Sequence, residues 1–283
     1  MNSNIYVSSL AFLGQPVEAV VKCCEKETIN LEFSSGMPYR QDMELIYKAC
    51  RFPRMPHNYF PAPQIPFVLN LASTDETIRR MSIEHCKNGL HLAKSSSSPF
   101  FAAHAGFCVD PNPAELGQKI KVPANLDKKL SKQHFLDSVN ELLVLAEELD
   151  IDFLIENNVI APFNYDNKVN FLLCTEYEEI NWLFEMIEHD RLGLLLDTAH
   201  LKVSCQTLGL DLKQEFQKIK PFIKAFHHSD NDGTKDNNLP LPKDYWFLEY
   251  FDEFRNYVHV LEVKSLELFE IKAQIKLLTG DGN

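Results

Sequence analysis

Leu192–His200 reads LGLLLDTAH. An unbroken aliphatic run of this length, closed by polar residues, predicts a strand buried on both faces. A strand that ends in Asp197, with His200 just beyond, delivers a carboxylate and an imidazole to the edge of a sheet. The same arrangement recurs along the chain, and that recurrence decides the fold.

Working toward the C-terminus, Asp211 to Ile219 is predicted helical, and Phe222 to His227 (FIKAFH) is a strand followed by a polar loop. Tyr245 to Asn256 reads as helix, Val258 to Val263 (VHVLEV) as strand and Leu266 to Leu278 as a closing helix. Toward the N-terminus, Glu178 to Glu188 is a helix, and IDFLIENN gives a strand ending at Glu156. Ser131 to Leu149 carries one apolar stripe at helical spacing. Phe100 to Phe107 is a strand and turn, and a long capped helix begins at Ser73 or Thr74. Met55 to Tyr59 is assigned a strand despite Pro56. A helix at Asp42 to Cys50, a strand at Ile29 to Phe33, a helix opened by Pro16 and a strand at Ile5 to Leu10 complete the series. Eight strand-then-helix units in 283 residues predict a parallel sheet closed into one (β/α)8 barrel, a single domain over residues 1–283. An open doubly wound sheet is the alternative, weakened because no glycine-rich phosphate fingerprint follows the first strand.

Apolar residues at 45% and charged residues at 24% fit a soluble globular chain, and no apolar run is long enough for a membrane span. The opening MNSNIYVSSLAFLG lacks the basic start of a secretion signal. Seven cysteines without a repeating spacing suggest reduced thiols and a cytoplasmic setting. A net charge of −12 offers no electrostatic footprint for nucleic acid. Where an oligomer forms, a symmetric homodimer is the commonest kind.

In a barrel of this kind the C-terminal strand ends form the active-site face. Here they carry His57, His104, Glu156, Asp197, His227 and Glu262, with His200 just past the sixth strand and Asp236 in the loop after the seventh. Each one alone is an ordinary strand-end residue. Six consecutive strands contributing a carboxylate or imidazole at one edge is a site. Such mixed ligands suit a divalent ion such as Zn, Mn, Co or Mg. Two carboxylates on non-adjacent strands can also face each other across a substrate and exchange protons with it. A cluster of ions could instead activate water against a phosphate ester. Strand alternation points His227 and His228 opposite ways, so only one of them faces the site.

As a set, IENN at Glu156, LLLDTAH at Asp197, FHHSDNDGTKD at His227 and LEV at Glu262 resemble the xylose-isomerase-like barrel superfamily. The likeness spans nearly the whole chain and is strongest from Ser131 onward. That superfamily holds sugar and sugar-phosphate isomerases and epimerases, and endonuclease IV. The resemblance to the epimerases implies one divalent ion on Glu156, Asp197, His227 and Glu262. It also implies that Glu156 and Glu262 are the acid–base pair for proton transfer beside a carbonyl, through an enediolate. The expected substrate is a small carbohydrate.

The endonuclease IV branch is visible too, in PHNYF and VLNLAS around His57, AHAG at His104, DTAH at Asp197 and His200, and KD at Asp236. That resemblance implies zinc-dependent phosphodiesterase chemistry on abasic DNA and makes His57, His104, His200 and Asp236 further metal or substrate contacts. Where endonuclease IV has another histidine ligand, two residues after the Asp, this chain has Asn238, a poor zinc ligand. The isomerase or epimerase expectation therefore ranks first, the phosphodiesterase second, and a ligand-binding barrel without turnover third.

Overall fold

A computed structural model describes residues 4–34, 36–165 and 169–280. Its strands are β1 (Ile5–Ser8), β2 (Asn30–Phe33), β3 (Arg54–Pro56), β4 (Phe100–His104), β5 (Asp152–Glu156), β6 (Leu192–Asp197), β7 (Ile223–His228) and β8 (Val258–Leu261). Between them run α1 (Val17–Glu27), α2 (Met43–Ala49), α3 (Glu76–Ser96), α4 (Lys128–Leu149), α5 (Tyr177–Met186), α6 (Thr198–Leu208), α7 (Leu212–Ile219), the single turn α8 (Phe251–Phe254) and the closing α9 (Leu268–Thr279). The strands form one parallel sheet in the order β3-β2-β1-β8-β7-β6-β5-β4. The sheet curls into a nearly closed (β/α)8 barrel. Its seam lies between β3 and β4, where the Asn58 amide donates to the Ala102 carbonyl at 2.8 Å. Pro56 cannot donate to a ladder, which keeps β3 short and leaves this seam.

Successive side chains on a strand point to opposite faces. Tyr6, Met55, Phe100, Ala102, Leu154, Leu195, Ala225 and Val260 make a separate apolar cluster that plugs the barrel. The intervening residues, among them Val7, Leu31, Phe101, Phe153, Leu194 and Phe226, belong to the larger core under the helices.

Several expected boundaries move. Ser9 and Leu10, expected at the end of the first strand, open a 3-10 turn, Ser9–Phe12, and β3 covers Arg54–Pro56 rather than Met55 to Tyr59. The strand at Phe100 stops at His104, and β8 stops at Leu261. Tyr245 to Asn256 is a 3-10 turn, Trp246–Tyr250, running into α8. The helix α6 was not expected. It starts without a loop because Asp197 is at once the last residue of β6 and the N-cap, its Oδ1 accepting from the His200 amide at 2.7 Å.

Gly89 lets α3 approach β4. A Cβ there would lie 2.3 Å from the Phe101 ring, which stacks on Phe153. Helix propensity favours alanine by about 1 kcal/mol, while overpacking a core costs about 1–3 kcal/mol. Gly89→Ala is expected to lose about 1 kcal/mol by urea denaturation. A gain would show that α3 can lift off the barrel freely.

Candidate active site

The inner face of each strand continues two residues beyond the apolar plug. Met55 is followed by His57, Ala102 by His104, Leu154 by Glu156, Leu195 by Asp197, Ala225 by His227 and Val260 by Glu262. All six project into the C-terminal mouth. Glu156 is the hub, 1% exposed. Its Oε2 lies 3.0 Å from His57 Nε2 and 3.5 Å from His104 Nδ1. Its Oε1 lies 3.5 Å from His227 Nδ1 and 3.8 Å from His200 Nδ1. His227 Nδ1 is 3.0 Å from Glu262 Oε2. His200, in the first turn of α6, sets its Nε2 3.4 Å from Asp236 Oδ2. Asp236 reaches the site because its loop folds back, Asp230 and Leu239 exchanging backbone hydrogen bonds of 2.9 Å. Every residue singled out from the sequence as a site candidate therefore lies in this one cluster.

Glu32 was not singled out from the sequence. It is fully buried on the inner face of β2, and its Oε1 sits 2.9 Å from His227 Nε2 and 4.0 Å from His57 Nδ1. A signal existed, because in NLEF the apolar Leu31 and Phe33 point outward and leave the glutamate pointing in.

So many acids cannot share a buried pocket without compensation. Burial alone would raise the Glu156 carboxyl, but the imidazoles of His104, His57 and His227 hold it well below the usual range. Asp197 is pushed up to about 7 by burial and by Glu262, Asp236 and Glu156, against the pull of His200. For His227, burial is outweighed by Glu32, Glu262 and Glu156, which raise it well above an ordinary imidazole. For His200, Asp197, Asp236 and Glu156 do the same. His104 goes the other way, lowered to about 4 chiefly by burial. In the protein alone, protonated histidines carry the charge compensation.

A divalent cation fits that role. Ligand atoms of Glu156, Asp197, His227 and Glu262 lie within 4.8 Å of one another, and so do those of His57, His104 and Glu156, and of Glu32, His57 and His227. Both Glu156 oxygens, Glu32 Oε2, Asp197 Oδ2 and Asp236 Oδ1 are buried without a hydrogen-bond donor. Buried oxygens of this kind require a partner, and a hard cation supplies one.

His228 faces outward, away from the cluster. Its Nδ1 is 3.0 Å from the Tyr245 hydroxyl, and its Nε2 is 2.8 Å from His259 Nδ1. His259 Nε2 donates to the Phe254 carbonyl at 2.9 Å. Burial keeps both imidazoles neutral, lowering His228 well below its ordinary value and His259 to about 4. His259 then accepts at Nδ1, His228 donates to it, and the Tyr245 hydroxyl donates to His228. Thr198 Oγ1 donates to the His227 carbonyl at 2.9 Å beside that hydroxyl. This network clamps the end of β7 from behind.

Neighbouring residues fall elsewhere. Asp230 pairs with Lys202 at 2.7 Å rather than with an imidazole, and Lys264 is exposed. Phe60 packs in the core on Phe33, and Trp246 packs on Phe216. Tyr59 and Phe107 do line a cavity beside His104. Tyr245→Phe strands the buried His228 Nδ1 and should cost about 1–3 kcal/mol in urea denaturation. A loss below about 0.5 kcal/mol would contradict the clamp.

A profile of the xylose isomerase-like TIM barrel family matches residues 11–275. No curated protein sequence matches the chain. Among solved structures, a D-tagatose 3-epimerase-like protein superposes with TM-score 0.71 at 16% identity, covering 99% of this chain and 100% of its own. A Thermus thermophilus protein, TTHB071, soaked with zinc chloride, gives TM-score 0.65 at 15% identity, covering 99% of each chain. The 3-keto-D-glucoside 4-epimerase of E. coli gives 0.65 at 11% identity, covering 98% of each. At these identities the likeness speaks to the fold. With the family profile spanning nearly the whole sequence, the chain belongs to the xylose isomerase-like TIM barrel family.

Proposed function

We propose that the protein is a divalent-metal-dependent isomerase or epimerase of a small sugar or sugar derivative, acting as a single barrel domain over residues 1–283. The observation that carries this is the convergence of Glu156, Asp197, His227 and Glu262 within 4.8 Å, with donor-free carboxylate oxygens among them. These four would hold the ion, and their mixed oxygen and nitrogen donors suit Zn, Mn, Co or Mg. Bound there, it would supply Lewis-acid polarisation of a substrate carbonyl. Glu32, by taking the Nε2 side of His227, leaves Nδ1 turned to the ion site.

The remaining chemistry belongs to Glu156 and Glu262. They stand on strand ends separated by β6 and β7, so a substrate carbon can sit between them. Glu156, held ionised by its imidazole neighbours, takes the proton from the carbon beside the carbonyl and leaves an enediolate. Glu262 returns a proton from the opposite side. Its side chain is 14% exposed, which lets it exchange that proton with solvent. His57, His104, His200 and Asp236 are further metal or substrate contacts. A carbohydrate substrate is supported by the epimerases that share the fold. Free thiols at all seven cysteines accord with a cytoplasmic setting, and no described helix is long and apolar enough to cross a membrane.

A second reading, an endonuclease IV-like zinc phosphodiesterase, is favoured by the grouping of His57, His104 and Glu156 beside His200 and Asp236. Asn238 and the net charge of −12 oppose it.

Elemental analysis of the purified protein with Glu262→Gln and Asn238→His tests these readings. Expected is a single divalent ion per chain, bound more weakly in Glu262→Gln. Solvent deuterium should enter a sugar beside its carbonyl, and Glu262→Gln should slow that uptake by about 100- to 10,000-fold. A multi-zinc cluster with cleavage of abasic duplex would establish the second reading. Full metal loading with no uptake into any sugar would leave a binding barrel.

A further inference from the structure

Glu32 stands behind the cluster rather than in its mouth. Its Oε1 is 2.9 Å from His227 Nε2 and 4.0 Å from His57 Nδ1. Each of these rings turns its other nitrogen to Glu156. His227 Nδ1 is 3.5 Å from Glu156 Oε1, and His57 Nε2 is 3.0 Å from Glu156 Oε2. The two rings are neighbours, their centroids 4.7 Å apart. One carboxylate on β2 therefore backs two imidazoles, and those imidazoles meet the two oxygens of one glutamate on β5.

A neutral imidazole has one N–H and one lone pair. A carboxylate behind one nitrogen keeps the proton there and leaves the lone pair on the other. At His227 the hydrogen bond to Glu32 does this directly, and Nδ1 keeps its lone pair on the side of Glu156 and Glu262. At His57 the separation is too long for a hydrogen bond, but opposite charges still attract at that distance in a buried site. No hydrogen bond among the described residues draws His57 Nδ1 elsewhere, since it and Glu32 Oε2 are both buried without a partner.

Ligand atoms of Glu32, His57 and His227 lie within 4.8 Å of one another, so Glu32 could be read as a ligand of an ion of its own. That ion would need His227 Nε2, the nitrogen already bonded to Glu32, and would find three donors against the four of the Glu156 grouping. It would also be shut in, because these side chains are no more than 5% exposed.

We propose that Glu32 is a positioning residue for the reaction centre, orienting His57 and His227 together and through them fixing Glu156 and the ligating nitrogen of His227. The proposal rests on the ion-binding part of the reading above and extends it from His227 to the base.

The test is long-range proton–nitrogen NMR of the zinc-loaded protein, with chelator competition for the ion, on the wild type, Glu32→Gln and Glu32→Ala. In the wild type the His227 proton should sit on Nε2 and the ion on Nδ1. Glu32→Ala should bind zinc about 10- to 100-fold more weakly. Glu32→Gln, whose amide oxygen still accepts from Nε2, should keep the His227 tautomer and bind zinc at least about threefold tighter than Glu32→Ala. Both variants should move the ring-nitrogen signals of His57 and His227 and leave those of His228 and His259, which pack behind the same strand, in place. The wild-type tautomer and Glu32→Gln decide the point even where Glu32→Ala fails to fold.

His227 bound through Nε2, His57 signals unmoved in both variants, or zinc affinities equal within about threefold in all three proteins would each overturn the proposal. Loss of one of two ions from Glu32→Gln would make Glu32 a ligand and overturn it too. His228 and His259 moving as far as His57 and His227 would reduce Glu32 to a general support of the barrel. The Glu32 effects without deuterium uptake into any sugar keep the positioning role and remove the isomerase. Uptake with zinc affinity indifferent to Glu32 does the reverse.

Discussion

Two-residue alternation along the barrel strands is the constraint on which the rest depends. It sends Met55, Ala102, Leu154, Leu195, Ala225 and Val260 into a dry plug, and the next inward position on each strand into the polar mouth. A one-residue slip in β5 or β6 would bury an acid under the helices and turn an aliphatic residue into the site. The plug supplies a low-dielectric floor, and acids and imidazoles standing on it feel each other strongly.

That floor sets the chemistry. Glu156 touches imidazoles from β3, β4, β7 and α6, and its own oxygens accept no hydrogen bond. Asp197 has two tasks, since one oxygen caps α6 while the other is left free in the site. The start of a helix also favours a carboxylate there. At β7 the alternation divides a histidine pair. His227 joins Glu32, Glu156 and Glu262, while His228 joins Tyr245 and His259 in an uncharged network. Rigid support behind a charged site keeps its geometry when the charge state changes.

Much of this was legible in the sequence. LGLLLDTAH and IDFLIENN hold strands, buried except at Asp152, whose polar ends stand out against their aliphatic runs, and they end at Asp197 and Glu156 as expected. Alternation said that only one of His227 and His228 could face the site, and the family resemblance of HHSD picked His227. Glu32 was as legible by the same parity, but it sits inside NLEF rather than at the end of an apolar run, and so it drew no attention. The start of α6 was hidden because one aspartate ends a strand and caps a helix with no loop between. The short β3 was blurred because the His57 amide still bonds to the Phe33 carbonyl before the chain turns at Asn58, where φ is +40°. The cavity was beyond sequence reasoning, since its walls come from loops whose paths are set by asparagine side chains bonding to distant backbone amides and carbonyls.

The central claim is that the donor-free carboxylates at the barrel mouth are the ligands of a divalent ion. The most direct measurement is anomalous diffraction from crystals of the protein grown with manganese or zinc. Expected is an anomalous peak bounded by Glu156, Asp197, His227 and Glu262. Crystals saturated with either ion and showing no peak among those four side chains would contradict it.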